Sequence, residues 1–273
     1  MPILKAKSFL HEYKLRAKDE DLNSLSGRQG RKELTYFINQ TIFNKLDMKD
    51  NQKLLDIGCG DLTLFKIADV KLSKCEFVGV LPTIEEVQRV QKDIDFKGFK
   101  NQVNIQKAFS SKLPFLEDTF DKVVINGVLL LLSEEEVNAT LKYISKVSKH
   151  NATIYIGELP FLNEFEDKSY GNSIFKWLVY GLKNRGFSYF FTSLLSVLKA
   201  LFSKEQMILG VKEHYYIKKE DFEKKAKEYG LILQSCFKQE LIDINKKIYT
   251  SQTRQDYIFK VHKEESKNEN RKI

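Results

Sequence analysis

One octapeptide constrains this chain more than any other stretch of it: Leu54-Leu55-Asp56-Ile57-Gly58-Cys59-Gly60-Asp61. An apolar run ends in an acid, then passes through a Gly-x-Gly turn into a helical pattern. Glycines at the turn allow a tight bend and let a ligand approach the main chain with no Cβ in the way. The helix that follows offers free N–H groups at its start. The alternation then repeats downstream. Lys53–Ile57, Glu76–Val80, Val103–Gln106, Lys122–Asn126 and Thr153–Glu158 read as short buried strands. Thr63–Ala68, Thr83–Lys92 and Glu134–Val147 read as helices between them, with Thr83 and Glu86 at capping-box spacing. Buried strands separated by helices predict a parallel sheet covered on both faces. In such a sheet the turn after the first strand lies where ligands bind.

The flanks divide the chain further. Residues 1–30 are polar and turn-rich, a cap segment with one short helix around Leu10 to Ala17. A helix over about 32–45 follows, its apolar side formed by Leu34, Phe37, Ile38, Ile42 and Phe43, and opens a domain spanning 31–262. The regular alternation stops at Pro160 and resumes near Tyr216, so residues 160–215 form an insertion. Beyond it come a polar helix, Lys219–Tyr229, stopped by Gly230, and two β-like segments, Leu231–Gln239 and Asp256–His262, joined by a long connection. Residues 263–273 are a charged tail.

Composition narrows the function classes. Three cysteines are too few and too scattered for a disulfide framework or a zinc cluster, and no Asp/His group has metal-ligand spacing, so no metal is expected. Residues Met1 to Arg31 are studded with charge and contain no apolar leader, which makes a cytoplasmic setting the expectation. The net charge of +8 raises nucleic acid as a partner. Against it, the basic residues alternate with large apolar faces, where a phosphate-tracking groove would be polar.

Around the octapeptide the chain resembles the class I S-adenosylmethionine-dependent methyltransferases. Leu54–Asp61 is similar to their first motif. Lys112-Leu113-Pro114-Phe115 followed by Thr119-Phe120-Asp121-Lys122-Val123-Val124 resembles the segment entering their fourth strand, and Tyr216–Leu231 resembles the helix before their last hairpin. The resemblance runs from about Leu34 to His262, apart from the insertion. It implies a Rossmann-like α/β fold: a seven-stranded sheet with helices on both faces and a C-terminal antiparallel hairpin. A dinucleotide oxidoreductase is the competing reading of the first turn, but it would want a third glycine near Thr63 and an acid about 20 residues on.

The resemblance implies S-adenosyl-L-methionine as cofactor, held by Asp56, Gly58, Cys59, Gly60, Asp61, Leu81, Pro82, Phe109 and Asn126. The chain departs from the family's pattern at three places. Leu62 stands where a third glycine is usual. Leu81 ends the second strand where an acid usually holds the ribose hydroxyls. Ala108 and Phe109 stand where an aspartate usually meets adenine. Phe109 offers a ring to stack on adenine instead, and Glu85 or Glu86 offers an acid from the next helix; a solvated helix-face role is the simpler reading of Glu86.

Methyl transfer to a hydroxyl needs alignment and a base. His214, where the insertion rejoins the core, is the first candidate, and Glu158, ending the fifth strand, is the second; an acid there also suits orienting a loop. The tetrapeptide that, in the family this chain resembles, accompanies methylation of planar nitrogens is replaced by Ile125-Asn126-Gly127-Val128-Leu129, which tilts the acceptor toward oxygen or a different nitrogen. Within the insertion, residues 168–204 contain six basic residues and no Asp or Glu. Phe187–Phe202 is mostly apolar, with Ser188, Thr192, Ser196 and Lys199 at helical spacing. These features predict a helical lid over the substrate site that also rests peripherally on an anionic membrane. Similar insertions, as the resemblance implies, belong to methyltransferases acting on cell-surface glycans or their lipid-linked precursors. The expected acceptor is therefore a hydroxyl of a small molecule, sugar or lipid-linked glycan. The alternative is a non-catalytic module that keeps the fold and docks on a membrane or partner.

Overall fold

Lys53–Ile57, the run containing Asp56, is the third strand across a seven-stranded sheet. The structure is a computed structural model that describes residues 3–5, 7–28, 31–161, 207–209, 215–243 and 245–263, with scattered positions between 175 and 198. Its strands are β1 (Ile3–Lys5), β2 (Lys53–Ile57), β3 (Glu76–Leu81), β4 (Gln102–Lys107), β5 (Phe120–Asn126), β6 (Ser148–Pro160), β7 (Met207–Leu209), β8 (Leu231–Ile242) and β9 (Ile248–Val261). The labelled helices are α1 (Phe9–Arg16), α2 (Lys32–Leu46), α3 (Thr63–Lys71), α4 (Ile84–Lys97), α5 (Glu134–Val147) and α6 (Lys219–Lys227).

The sheet order is β4-β3-β2-β5-β6-β9-β8. The first five strands are parallel, β9 runs antiparallel to β6, and β8 closes the edge as its hairpin partner. Strand order reverses between β2 and β5, so a crevice opens at their carboxyl ends. Successive side chains explain the layers. Leu54 and Val124 join one apolar cluster with Ile38 and Ile42 of α2 and Phe65 of α3. Leu55, Ile57, Val123 and Ile125 join the other with Val137, Leu141 and Ile144 of α5 and Phe222 of α6.

Local sequence sets the helix ends. In α5 the Ser133 hydroxyl accepts from Glu136 N and the Glu136 carboxylate accepts from Ser133 N, a complete capping box with three acids in the first turn. Ser133→Ala is expected to lower stability by about 1 kcal/mol, read from urea unfolding. The Leu62 departure has a backbone consequence. Leu62 adopts a left-handed conformation (φ 63°, ψ 17°) at the start of α3, where glycine is the unstrained choice. Its side chain is fully buried in the α2–α3 cluster, which offsets that strain.

Two expectations change. The connection in the C-terminal hairpin is short, because β8 and β9 extend to Ile242 and Ile248. Only Leu231 and Gln239 of β8 are buried, so no apolar alternation marked the extra length. The structure also adds a two-stranded parallel pairing of Ile3–Lys5 with Met207–Leu209, tying the start of the chain to the far side of the insertion. At the base of the insertion, Ile217 N donates to Pro160 O at 3.0 Å and Tyr215 N to Leu130 O at 3.2 Å.

Candidate active site

A cavity of about 280 Å³ lies at the carboxyl ends of β2, β3 and β5. Its floor is the octapeptide turn. Gly58 (φ 81°) donates its N–H to Val80 O at 2.9 Å, and a Cβ on it would stand 2.6 Å from Val128 Cγ2. The Cys59 thiol fills the space left by Gly79, where a Cβ would stand 2.5 Å from its sulfur. Burial raises that thiol well above its usual range, so Cys59 packs rather than reacts. Asp61 fastens the turn from below: one oxygen accepts Thr63 N at 3.1 Å and the other accepts Asn23 Nδ2 at 2.9 Å.

Two acids on the wall stand out. Asp56 is buried and accepts no hydrogen bond from any described residue. Burial first, and the nearby Asp61 second, raise its pKa from 3.8 to about 7. Glu86, in the first turn of α4, is 0% exposed. One of its oxygens accepts from Thr83 N at 3.1 Å and from Thr83 Oγ1 at 2.7 Å, while Oε1 is buried without a partner. Its pKa rises from 4.5 to about 7, chiefly through burial. The solvated helix-face reading of Glu86 is thereby corrected: α4 packs this residue inward. Glu85 is the outward one, paired with Lys14 at 3.0 Å.

Leu81, Pro82, Ala108, Phe109 and Ser110 form the next part of the wall. Phe109 is 45% exposed, leaving part of its ring uncovered. The opposite side holds Asn126 and Glu158. Glu158 sits on a bulge in β6, with φ at 61° and a register shift against β9 between Ile156 and Leu159. Its carboxylate accepts from Asn126 Nδ2 at 3.0 Å, from Arg254 at 3.1 Å and from Arg28. Its N–H donates to Asp256 at 2.8 Å, and Asp256 also accepts from Tyr155 OH at 2.6 Å. A carboxylate already accepting from two guanidiniums and an amide has little lone-pair capacity left for a substrate proton. This geometry suits orienting Asn126 and the arginines better than proton abstraction. Burial, and then repulsion from Arg254, lower Arg28 to about 10, so it stays charged at neutral pH.

The roof is the N-terminal cap. Phe9, Glu12, Tyr13 and Arg16 of α1, with the stretch from Leu25 to Arg28, complete the lining. Arg16 holds the cap together by donating to Glu12 at 2.7 and 3.0 Å and to Ser24 O at 3.2 Å. None of the described residues between 162 and 214 lines the cavity. His214 lies outside the described residues, as do Lys168, Lys176, Arg185, Lys199 and Lys204. All nine residues expected at the cofactor, and Glu158 with them, lie on this one cavity. Arg28, Arg254 and the α1 residues were not singled out, because nothing local in their polar segments marks where those segments dock. Among the described residues no group of three metal-ligating side chains occurs.

Residues 48–262 match the family described as "Methyltransferase domain". YrhH of Bacillus subtilis, itself only provisionally assigned as a methyltransferase, is 28% identical over 126 residues, which is 45% of this chain and 67% of YrhH. Among solved structures, a SAM-dependent methyltransferase from Aquifex aeolicus has a TM-score of 0.56 at 14% identity, with 88% of this chain and 98% of that one covered. The [4+2]-cyclase SpnF has a TM-score of 0.60 at 12% identity, covering 95% of this chain and 98% of its own. At such identities the structural likeness is one of fold, and function rests on the site and the family match.

Proposed function

The chain belongs to the methyltransferase-domain family and is an S-adenosylmethionine-dependent methyltransferase; on that premise we propose that it methylates a hydroxyl oxygen of a small molecule, sugar or lipid-linked glycan, met at an anionic membrane surface. The observation that carries the cofactor assignment is the pair of buried acids with acceptor capacity to spare, Asp56 and Glu86, facing one glycine-floored cavity. A cationic ligand bearing hydroxyl groups relieves both. S-adenosylmethionine supplies, when bound, a methyl group already activated on a positively charged sulfur. Asp56 is assigned to the cationic end and Glu86 to the ribose hydroxyls, in place of the acid that Leu81 replaces. Phe109 is assigned to the adenine face. Gly58, Cys59, Gly60 and Asp61 shape the floor, and Leu81, Pro82 and Asn126 shape the walls.

The protein's remaining task is to exclude water, align the acceptor and hold its proton. Exclusion falls to the cap, closed over the cavity by the Arg28–Glu158 pair. His214 is assigned as the base. Its support is positional: the next residue, Tyr215, is hydrogen-bonded to Leu130, which lines the cavity. The absence of the planar-nitrogen tetrapeptide after β5 supports oxygen as the acceptor atom. The test is release of S-adenosylhomocysteine with hydroxyl-bearing membrane lipids and with water-soluble sugars offered separately. Turnover is expected with at least one class, and His214→Ala is expected to slow it at least tenfold with cofactor affinity unchanged. Turnover equal to wild type would remove His214 from the mechanism, and transfer only to amines would overturn the oxygen assignment.

A further inference from the structure

The insertion carries helical residues whose exposed side is apolar. Phe187, Phe191, Leu195 and Leu198 are helical and exposed, Phe187 at 70% and Phe191 at 51%. Their spacings of four, four and three place them on one helix face. Ser193 and Val197, on the other side, are buried, with Phe190 and Leu194 half-buried between. The rings form one patch: Phe187 lies 6.3 Å from Phe191 and 6.2 Å from Phe190, centre to centre. An apolar stripe aimed at water marks a surface that something else covers.

Charge selects the occupant. Residues 168–204 hold six Lys or Arg and no acid, in a chain with 37 Asp and Glu among 273 residues. A second copy of the chain on this face would bring two acid-free basic segments together, which repel. A bilayer with anionic headgroups satisfies both features: acyl chains take the stripe and headgroups take the lysines. Among the described residues no helix is long and apolar enough to cross a membrane, which fits a helix lying on its surface. We propose that the Phe187, Phe191, Leu195 and Leu198 face docks on an anionic lipid bilayer and sets the cavity at the membrane surface. This deepens the lipid-linked reading of the acceptor by naming the surface that reaches it. Farther along the insertion, Met207–Leu209 pairs with Ile3–Lys5 and packs beside α1, whose residues form the cavity roof.

The test is flotation of the full chain with vesicles, a readout independent of turnover. Binding to phosphatidylglycerol-containing vesicles is expected, weakened by high salt, with little binding to pure phosphatidylcholine; each basic residue at such a surface is worth about fivefold. Phe191→Ser with Leu195→Ser is expected to weaken binding at least tenfold, while Phe96→Ser, changing an apolar residue 88% exposed elsewhere, leaves it unchanged. An S-adenosylhomocysteine thermal shift retained in all variants shows that they fold. Wild-type protein that ignores anionic vesicles, or a double variant that floats as well as wild type, overturns the proposal. Dimerisation abolished by the double variant, with no vesicle binding, assigns the face to a second copy instead. Vesicle binding without methylation of any hydroxyl leaves the dock standing and overturns the acceptor reading.

Discussion

Glu158→Ala is expected to lower folding stability by about 1.5–3 kcal/mol, because it removes the buried carboxylate that the half-buried Arg28 and Arg254 guanidiniums share. The carboxylate accepts from Arg28, Arg254 and Asn126, and all four groups line the cavity. Arg28 is already lowered to about 10 by burial and by Arg254, so repulsion across the site is present even with Glu158 in place. Arg28→Ala and Arg254→Ala should each cost less, since Glu158 keeps two of its three donors in either variant. The order Glu158→Ala above either arginine variant is the diagnostic, measured by denaturant unfolding. Faster proteolysis within residues 7–28 should accompany it, because Arg28 fastens the cap to the sheet. A Glu158→Ala protein within about 1 kcal/mol of wild type would show that no buried clasp exists there. A protein fully stable yet inactive as Glu158→Gln would return the residue to the role of base.

The second large effect is on ligand affinity. Glu86→Gln keeps its capping box, because the amide oxygen accepts from Thr83 just as the carboxylate does. It places a donor where wild type has the unpartnered Oε1. Affinity for S-adenosylmethionine and S-adenosylhomocysteine is expected to fall about 10- to 100-fold by calorimetry, the worth of charge-assisted hydrogen bonds to hydroxyls. Affinity of the wild type should rise with pH through about 7, because donors on the ligand favour the ionised acid. In the variant that rise shrinks to the part due to Asp56, which titrates in the same range. Stability moves the opposite way. The folded pKa of Glu86 is raised, so its contribution is fully present below about 4.5 and is lost as pH rises through about 7. Ligand-free Glu86→Gln should therefore be more stable than wild type above pH 7, by on the order of 1–3 kcal/mol, with the difference vanishing near pH 4. Unchanged affinity across this pH range would remove Glu86 from the cofactor site.

Much of the site was legible because it is local. The octapeptide carries its own turn chemistry, and Gly58 and Gly60 both take positive φ in the structure. Asn126 follows from the same rule, since it ends the strand next to β2. The reading of Glu86 failed for a nameable reason. A capping-box glutamate faces solvent when its helix end is exposed, and here the cap and the β3–β4 wall cover that end.

What the sequence determined by itself is the part set by neighbours along the chain: apolar alternation, capping boxes, the glycine turn, and so the sheet with its crevice. Tertiary structure decided everything that depends on distant segments meeting. Asn23 reaches Asp61 from 38 positions away, and Arg254 reaches Glu158 from 96. Which acids lose their solvent, and hence titrate near 7, was likewise settled by what packs over them. Burial and charge pairing are properties of three-dimensional proximity, and periodicity along a chain carries no record of either.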